Sequence, residues 1–492
     1  MLNTILLILF QYPLAFNILF ATIVIFFEKR SVASAWAWLM VIFLIPYVGF
    51  ILYMMLGMES RKHKTFANKS KKNQADLAEI LKLDIAGLSF MRPPKSEENV
   101  AVFKNTLSIE NIDDLLYLNF SAGGGYLSLH NEVDILSSGK EKFDMLIKDI
   151  EGAKHFIHVQ YYIFRNDGLG KRLVDVLAKK AKQGVEVKLL IDGMGNFFTS
   201  KHRLFAPLKK AGGRVGIFLA PHVFRINFQN HRKLAIIDGA IGYIGGFNVG
   251  DEYLGKVKRY GFWRDLHIRV LGDAVKEMEI HFIMDWNFVS PKNKIIPNEA
   301  YFPKTNKLNQ KVLMQVVSAG PDTKWPHIYN GFAKMISEAN KSICIQTPYF
   351  APDDNIFESL KIAALSGIDV KIIIPANPDH FFVKWCSMSY LGELLKAGVR
   401  CYQYKKGFIH AKFIMIDGLV ASVGTTNMDI RSFKLNFEIN AFIYDHIICK
   451  KLETQFYKDI LECEEVTLEA YTNRPWTQKA KEAFSRLLSP LL

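Results

Sequence analysis

Two uncharged stretches open the chain, residues 4–27 (TILLILFQYPLAFNILFATIVIFF) and 32–58 (VASAWAWLMVIFLIPYVGFILYMMLGM), and neither shows the polar stripe that a core helix turns toward water. Each exceeds the ~20 residues that a helix needs to cross a bilayer. The first run lacks the basic start and small-residue cleavage site of a secretory leader. The pattern therefore predicts a retained transmembrane helical hairpin over 1–60. A fold-back around Pro46 that re-enters the same face is the alternative, and it anchors the chain equally well.

After a basic connector, 61–112, the periodicity changes. The segments AKHFIHVQYYIF (153–164) and GVEVKLLID (184–192) are near-continuous apolar runs rich in Val and Ile, as strands buried on both faces of a sheet are. Between them KRLVDVLAKKAKQG closes with a Lys-rich turn and a Gly, a helix stop. The same order returns later. ANKSICIQTPYF (339–350) repeats the first strand and matches Gln160 with Gln346, GIDVKIIIP (367–375) repeats the second, and AGVRC (397–401) repeats AGGRV (211–215). The reading is an α/β sandwich written twice: a first repeat over 113–290, a Pro-, Asn- and Lys-rich linker over 291–311, and a second repeat over 312–492. The tail from 474 mixes Lys and Arg with Trp, Phe and Leu at helical spacing, which suits a membrane-surface helix and a core-packed helix alike.

Composition sharpens this. A chain of 492 residues, 50% hydrophobic, is a folded protein with room for about two or three cores. With 62 Lys and Arg against 48 Asp and Glu, the net charge of +14 suits a polyanionic partner, either nucleic acid or the anionic cytoplasmic leaflet. Arg61, Lys62, Lys64, Lys69, Lys71 and Lys72 follow the second apolar run, whereas the turn before it holds only Lys29 and Arg30. The positive-inside rule then places the long C-terminal part on the cytoplasmic side. Five scattered cysteines without a C-x-x-C pair read as reduced thiols, and no zinc cluster is expected.

The chemistry sits in a stretch that occurs twice, NHRKLAIIDG (230–239) and IHAKFIMIDG (409–418). His231, Lys233 and Asp238 in one copy correspond to His410, Lys412 and Asp417 in the other. Each copy is followed at the same distance by a Gly-led turn ending in Asn, GGFN with Asn248 and GTTN with Asn427. Strand alternation would set His and Lys on one face. Brought together across a pseudo-twofold axis, two imidazoles, two ammonium groups and two amides make an anion site that fits a phosphate, and protonated lysines repel a metal ion. Two histidines on one phosphate divide the work: a neutral imidazole attacks phosphorus, and a protonated one donates to the leaving oxygen and later takes a proton back. That division needs the motif twice. The imidazoles require orienting carboxylates, for which Asp265 in FWRDLHIRV and Glu438 in KLNFEINAFI stand at matching places. Asp238 and Asp417 complete the motif mainly by closing a turn.

These residues resemble the phospholipase D superfamily, whose paired H-x-K-x4-D motifs are carried here by His231/Lys233/Asp238 and His410/Lys412/Asp417. Within it the chain is similar to the membrane-anchored bacterial cardiolipin synthases over nearly its whole length, through IHVQYYIF, GGFNVGDEYLG, IQTPYFAPDD and GTTNMDIRSFKLNFEINA. The resemblance implies a duplicated phospholipase D-like sandwich in the bacterial cell membrane that joins two phosphatidylglycerols into cardiolipin and glycerol without a metal or other cofactor. It implies His231 as nucleophile and His410 as acid and base. Rival readings are a hydrolytic phospholipase D, a phosphatidyltransferase using another alcohol, with His380, Phe381 and Tyr390 as acceptor-side residues, and a tethered nuclease. The nuclease is disfavoured by the apolar runs and by the lack of a nucleic-acid module, so no nucleic-acid partner is expected. The pattern specifies no oligomeric state.

Overall fold

Six strands recur in one order and with one set of directions in each half of the chain. In the computed structural model, which describes residues 17–18, 21–22, 32–45, 47–53, 59–83, 112–197, 203–219, 227–379, 381–487 and 489, the first sheet runs Phe262–Gly272, Ile241–Gly245, Leu234–Ile237, Phe156–Tyr161, Glu186–Asp192, Arg214–Phe218. The second runs Glu438–Ile443, Val420–Gly424, Phe413–Ile416, Ser342–Gln346, Asp369–Pro375, Arg400–Tyr404. In both, the first three pairings are antiparallel and the last two parallel. Asn131–Ser138 and Met314–Ala319 add an antiparallel neighbour to the leading strand of each sheet.

The apolar runs become interior strands because both their faces are covered: every residue of Phe156–Tyr161 and of Met314–Ala319 is buried. Helix Gly168–Lys182 shows how the sequence signals act. Asp167 caps its start by accepting from Gly170 N at 3.0 Å, Leu169, Leu173, Val174 and Leu177 face the sheet, and Gly184 follows at φ 88°. The largest apolar cluster lies between the sheets. It joins Leu234 and Ile268 of the first sheet with Val316 and Ile439 of the second, through helices Ala274–Val289 (Met278, Phe282, Trp286) and His446–Ile460 (Leu452, Phe456). Each such side chain contributes about 1.5–3 kcal/mol of burial, so the two halves share one core and cannot part without exposing it.

The halves are also stitched by backbone. Gly407–Ile409 of the second half pairs in parallel with the head of Phe262–Gly272, and Leu127–Ser128 of the first extends the second sheet at Met314–Ala319. A further bridge joins Asn230 to Phe437.

At the N-terminus the described residues fold back near the predicted Pro46 position and do not form a single span. The run 32–58 is not one spanning helix: Val32–Leu44 has 13 residues, about 20 Å, and a second helix, Val48–Leu52, packs back against it. Tyr47 has φ 65°, and a Cβ on Gly49 would meet Val41 O at 2.4 Å, so the fold-back needs that glycine. No helix among the described residues is long and apolar enough to cross a membrane; the first predicted span, 4–27, lies almost entirely outside them. The basic connector begins in a docked helix. Helix Glu59–Ile80 lies on the core with Phe66 edge-on to Phe228 and Phe437, and Lys69, counted above among the orienting cations, is 0% exposed between Asp285 (3.0 Å) and Asp322 (2.7 Å).

Candidate active site

Lys233 and Lys412 stand one residue before the strands Leu234–Ile237 and Phe413–Ile416, and His231 and His410 three residues before them, so the pairs lie on the lead-in segments and not on the strands themselves. At the histidines these lead-in segments turn away from their own sheet. They pair across the interface, where His231 N donates to Phe437 O at 2.9 Å and His410 N donates to Arg264 O at 2.7 Å. The residue after each acceptor is a carboxylate. Glu438 is thereby presented to His231 Nδ1 at 3.0 Å, and Asp265 to His410 Nδ1 at 2.6 Å. Each histidine is oriented by the opposite half. Because the carboxylates can only accept, both Nδ1 atoms carry the proton, and Nε2 is the atom left for chemistry.

Each lysine folds back on its own motif: Lys233 Nζ donates to His231 O and Lys412 Nζ to His410 O, both at 2.6 Å. Glu438 is held in turn by Thr425 Oγ1 at 2.5 Å. The rings of Tyr162 and Trp263 stand 4.9 and 5.3 Å from those of His231 and His410.

Burial governs the charges. It is the largest influence on His231 and His410 and takes both to about 4, with Lys233 and Lys412 pushing the same way and Glu438 and Asp265 opposing. Burial also brings Lys412 to about 8 and Lys233 well below its usual range. At Asp265 burial pushes the carboxyl up, but His410 and Lys412 outweigh it and hold it low. The free site thus has two neutral imidazoles beside ammonium groups that are costly to keep charged. A phosphodiester monoanion entering between them would favour the charged form of every one.

Behind the histidines lies a second layer that the motif does not reveal. Asp285 and Asp459 occupy matching places on helices Ala274–Val289 and His446–Ile460, and each accepts from the matched glutamine, Gln160 at 2.9 Å and Gln346 at 2.8 Å. Asp285 holds Arg232 (2.6 Å), whose Nε reaches Glu438 O at 3.3 Å, and Asp459 grips Arg264 with two bonds of 2.9 and 2.8 Å. Both arginines thus fix the backbone that carries an orienting carboxylate. The Gln160/Gln346 match was the only sequence signal for this layer; the arginines lie at non-equivalent positions, Arg232 matching Ala411.

The remaining predicted residues divide. Asp238 and Asp417 stand at the far ends of the strands from the histidines, at φ 52° and 55°. Each accepts three backbone N–H groups of the preceding repeat strand, from Lys154, His155 and Phe156 and from Asn340, Lys341 and Ser342. Asn248 accepts from Ile163 N and donates to Tyr253 Oη, and Asn427 bonds Asp429. Tyr390 is buried, and its hydroxyl donates to Ser489 at 3.0 Å; His380 and the Phe381 side chain lie outside the described residues. Among the described residues no three His, Cys, Asp or Glu side chains are grouped to hold a metal ion.

Comparison with known proteins fits this geometry. A family model described as cardiolipin synthase, phospholipase D-like domain, matches residues 146–286 and 332–460, one segment in each half, and a model of the phospholipase D-nuclease N-terminal type matches 15–57. The chain is 48% identical over 484 residues to the major cardiolipin synthase of Bacillus subtilis strain 168, covering 97% of each, and 46% identical over 479 residues to a cardiolipin synthase of Oceanobacillus iheyensis, again 97% of each. Among solved structures, the phosphatidylserine synthase of Haemophilus influenzae superposes with a TM-score of 0.60 at 15% identity, over 77% of this chain and all of that one. That likeness concerns the fold.

Proposed function

The chain belongs to the cardiolipin synthase branch of the phospholipase D-like family, and on that premise we propose that it transfers a phosphatidyl group from one phosphatidylglycerol to another, giving cardiolipin and glycerol. His231 Nε2 attacks phosphorus while the bond to the glycerol oxygen breaks, and His410 Nε2–H protonates that oxygen as it leaves. Glycerol departs, and the phosphatidyl group stays on His231. The primary hydroxyl of a second phosphatidylglycerol then attacks phosphorus, His410 takes its proton, the phosphorus–nitrogen bond breaks, and the enzyme is restored. Lys233 and Lys412 balance charge on the non-bridging oxygens, with Asn248 and Asn427 as further donors. Glu438 and Asp265 keep the proton on Nδ1 and stabilise the imidazolium form in their respective steps.

The observation that carries this reading is the crossed pair of histidine–carboxylate contacts, which makes one centre out of two copies. The neutral state of His231 in the free site suits a nucleophile. His410 needs a proton, and two features supply the means to hold it: Asp265 at 2.6 Å and the incoming phosphodiester charge. The N-terminal segment is read as the membrane anchor, with the catalytic part on the cytoplasmic side. The family match over 15–57 and the exposed apolar residues Trp36, Met40, Leu44 and Val48 support the anchor.

The test incubates detergent-solubilised protein with phosphatidylglycerol alone and a chelator, beside His231→Ala and His410→Ala. Cardiolipin and glycerol in equal amounts from the parent, and neither from the variants, are expected. Phosphatidic acid as main product would make the chain a hydrolase instead.

A further inference from the structure

The C-terminal tail resolves into a docked helix with an apolar side left open. Trp476–Leu487 packs on helix Phe381–Lys396 through its polar side: Glu482 and Ser485 are buried, and Glu482 accepts from Arg474 Nε at 2.8 Å and from Gln478 Nε2 at 2.9 Å. Further pins hold it there. Arg486 lies 4.7 Å over the Tyr390 ring, Lys481 5.3 Å from the Trp385 ring, and Tyr390 Oη donates to Ser489 at 3.0 Å. At about 3.6 residues per turn, Trp476, Ala480, Ala483, Phe484 and Leu487 share the side opposite these contacts. There Trp476 is 76% exposed, Phe484 66% and Leu487 77%.

An apolar stripe of this kind ordinarily points into a core, yet here the core side is polar and the apolar side faces out. Its edges are basic, carrying Lys479 and Arg486 on one flank and Lys481 on the other, and the one acid of the helix, Glu482, is buried and neutralised by Arg474. We infer that helix Trp476–Leu487 is a second membrane contact, lying in the plane of an anionic phospholipid surface with Trp476, Phe484 and Leu487 at the acyl boundary, Lys479 among the headgroups, and Lys481 and Arg486 adding positive potential at the stripe's edges. The charge pattern selects a lipid surface over a second copy of the chain, whose own net charge of +14 would repel these flanks. Together with the N-terminal segment the helix fixes the catalytic domain at two points. This inference takes the N-terminal anchor from the reading above, and the spin-label measurement that tests it is independent of the reaction proposed there.

The test uses the full chain in nanodiscs containing phosphatidylglycerol, with Cys463→Ser and a nitroxide on Ala480→Cys. Relaxation by oxygen is expected to exceed relaxation by a water-soluble nickel chelate, as at a membrane interface. Trp476→Ser/Phe484→Ser/Leu487→Ser, three exposed positions, should lower turnover of bilayer phosphatidylglycerol at least about tenfold and leave turnover of a short-chain, monomeric phosphatidylglycerol within about twofold. A label open to the nickel chelate, a label shielded from both reagents as by a second copy, or a triple variant that keeps bilayer turnover or loses both substrates equally would overturn the inference.

Discussion

Replacing Asp265 by Asn tests the crossed arrangement with little change of shape. The carboxylate is 0% exposed, accepts from His410 Nδ1 at 2.6 Å and from Leu266 N at 2.7 Å, and an amide oxygen can keep one of those bonds. What is lost is the negative charge beside a histidine that must be positive when it protonates the leaving glycerol. Unit charges about 4 Å apart at an effective dielectric of about 20 attract by about 4 kcal/mol. At ~1.4 kcal/mol per decade, that is a loss of about a thousandfold in the rate of glycerol release. The assay compares phosphatidylglycerol with a phosphatidyl ester of p-nitrophenol, whose leaving group needs no proton. The burst of nitrophenol from Asp265→Asn should fall by less than about tenfold, because the acid has been made unnecessary. Glu438→Gln, which acts on His231, should lose on both substrates. Equal losses for Asp265→Asn on both substrates, or rescue of Glu438→Gln alone, would refute the assignment of roles.

Other consequences follow from the charges and the bracing. Burial brings Lys412 to about 8, and it is the protonated form that binds the phosphodiester, so kcat/KM should decline as pH rises above about 8; Lys412→Arg, whose guanidinium stays charged, should move that limb upward by more than about one unit, and an unmoved limb would assign it to another group. Lys69→Met leaves the buried Asp285 and Asp322 without their shared ammonium and should lower stability by about 3 kcal/mol in urea unfolding; an unchanged midpoint would mean that the helix Glu59–Ile80 is not held by these pairs. Asp238→Ala and Asp417→Ala each remove an acceptor of three backbone N–H groups and should cost about 2–4 kcal/mol of stability. Turnover per folded molecule should stay within about threefold for these two, which separates a structural aspartate from a catalytic one.

The duplicated architecture was legible because strands buried on both faces and a chemically constrained motif leave local signatures, and here each occurs twice. The pairing of His231 with Glu438 and His410 with Asp265 was not, since it depends on lead-in segments crossing to the opposite half, and the matched positions of Asp265 and Glu438 suit a crossed or an uncrossed pair equally. Arg232 and Arg264 were hidden for a related reason: repeat comparison finds what the halves share, and these arginines do their bracing asymmetrically. Lys69 misled because a lysine in a basic segment reads as solvated, whereas two distant aspartates draw it inward. In the run 32–58 hydropathy left a single span and a fold-back around Pro46 both open, because it sums composition and does not weigh the close approach to Val41 that Gly49 permits.

Location of the covalent intermediate tests the central claim most directly. Asp265→Asn supplied with the nitrophenyl ester and no alcohol acceptor can form the phosphatidyl-enzyme but lacks an efficient base to resolve it. After an alkaline quench, which preserves phosphohistidine, mass analysis of the peptides should find the phosphatidyl group on His231. Its appearance on His410, or unmodified protein after a full burst of nitrophenol, would contradict the account.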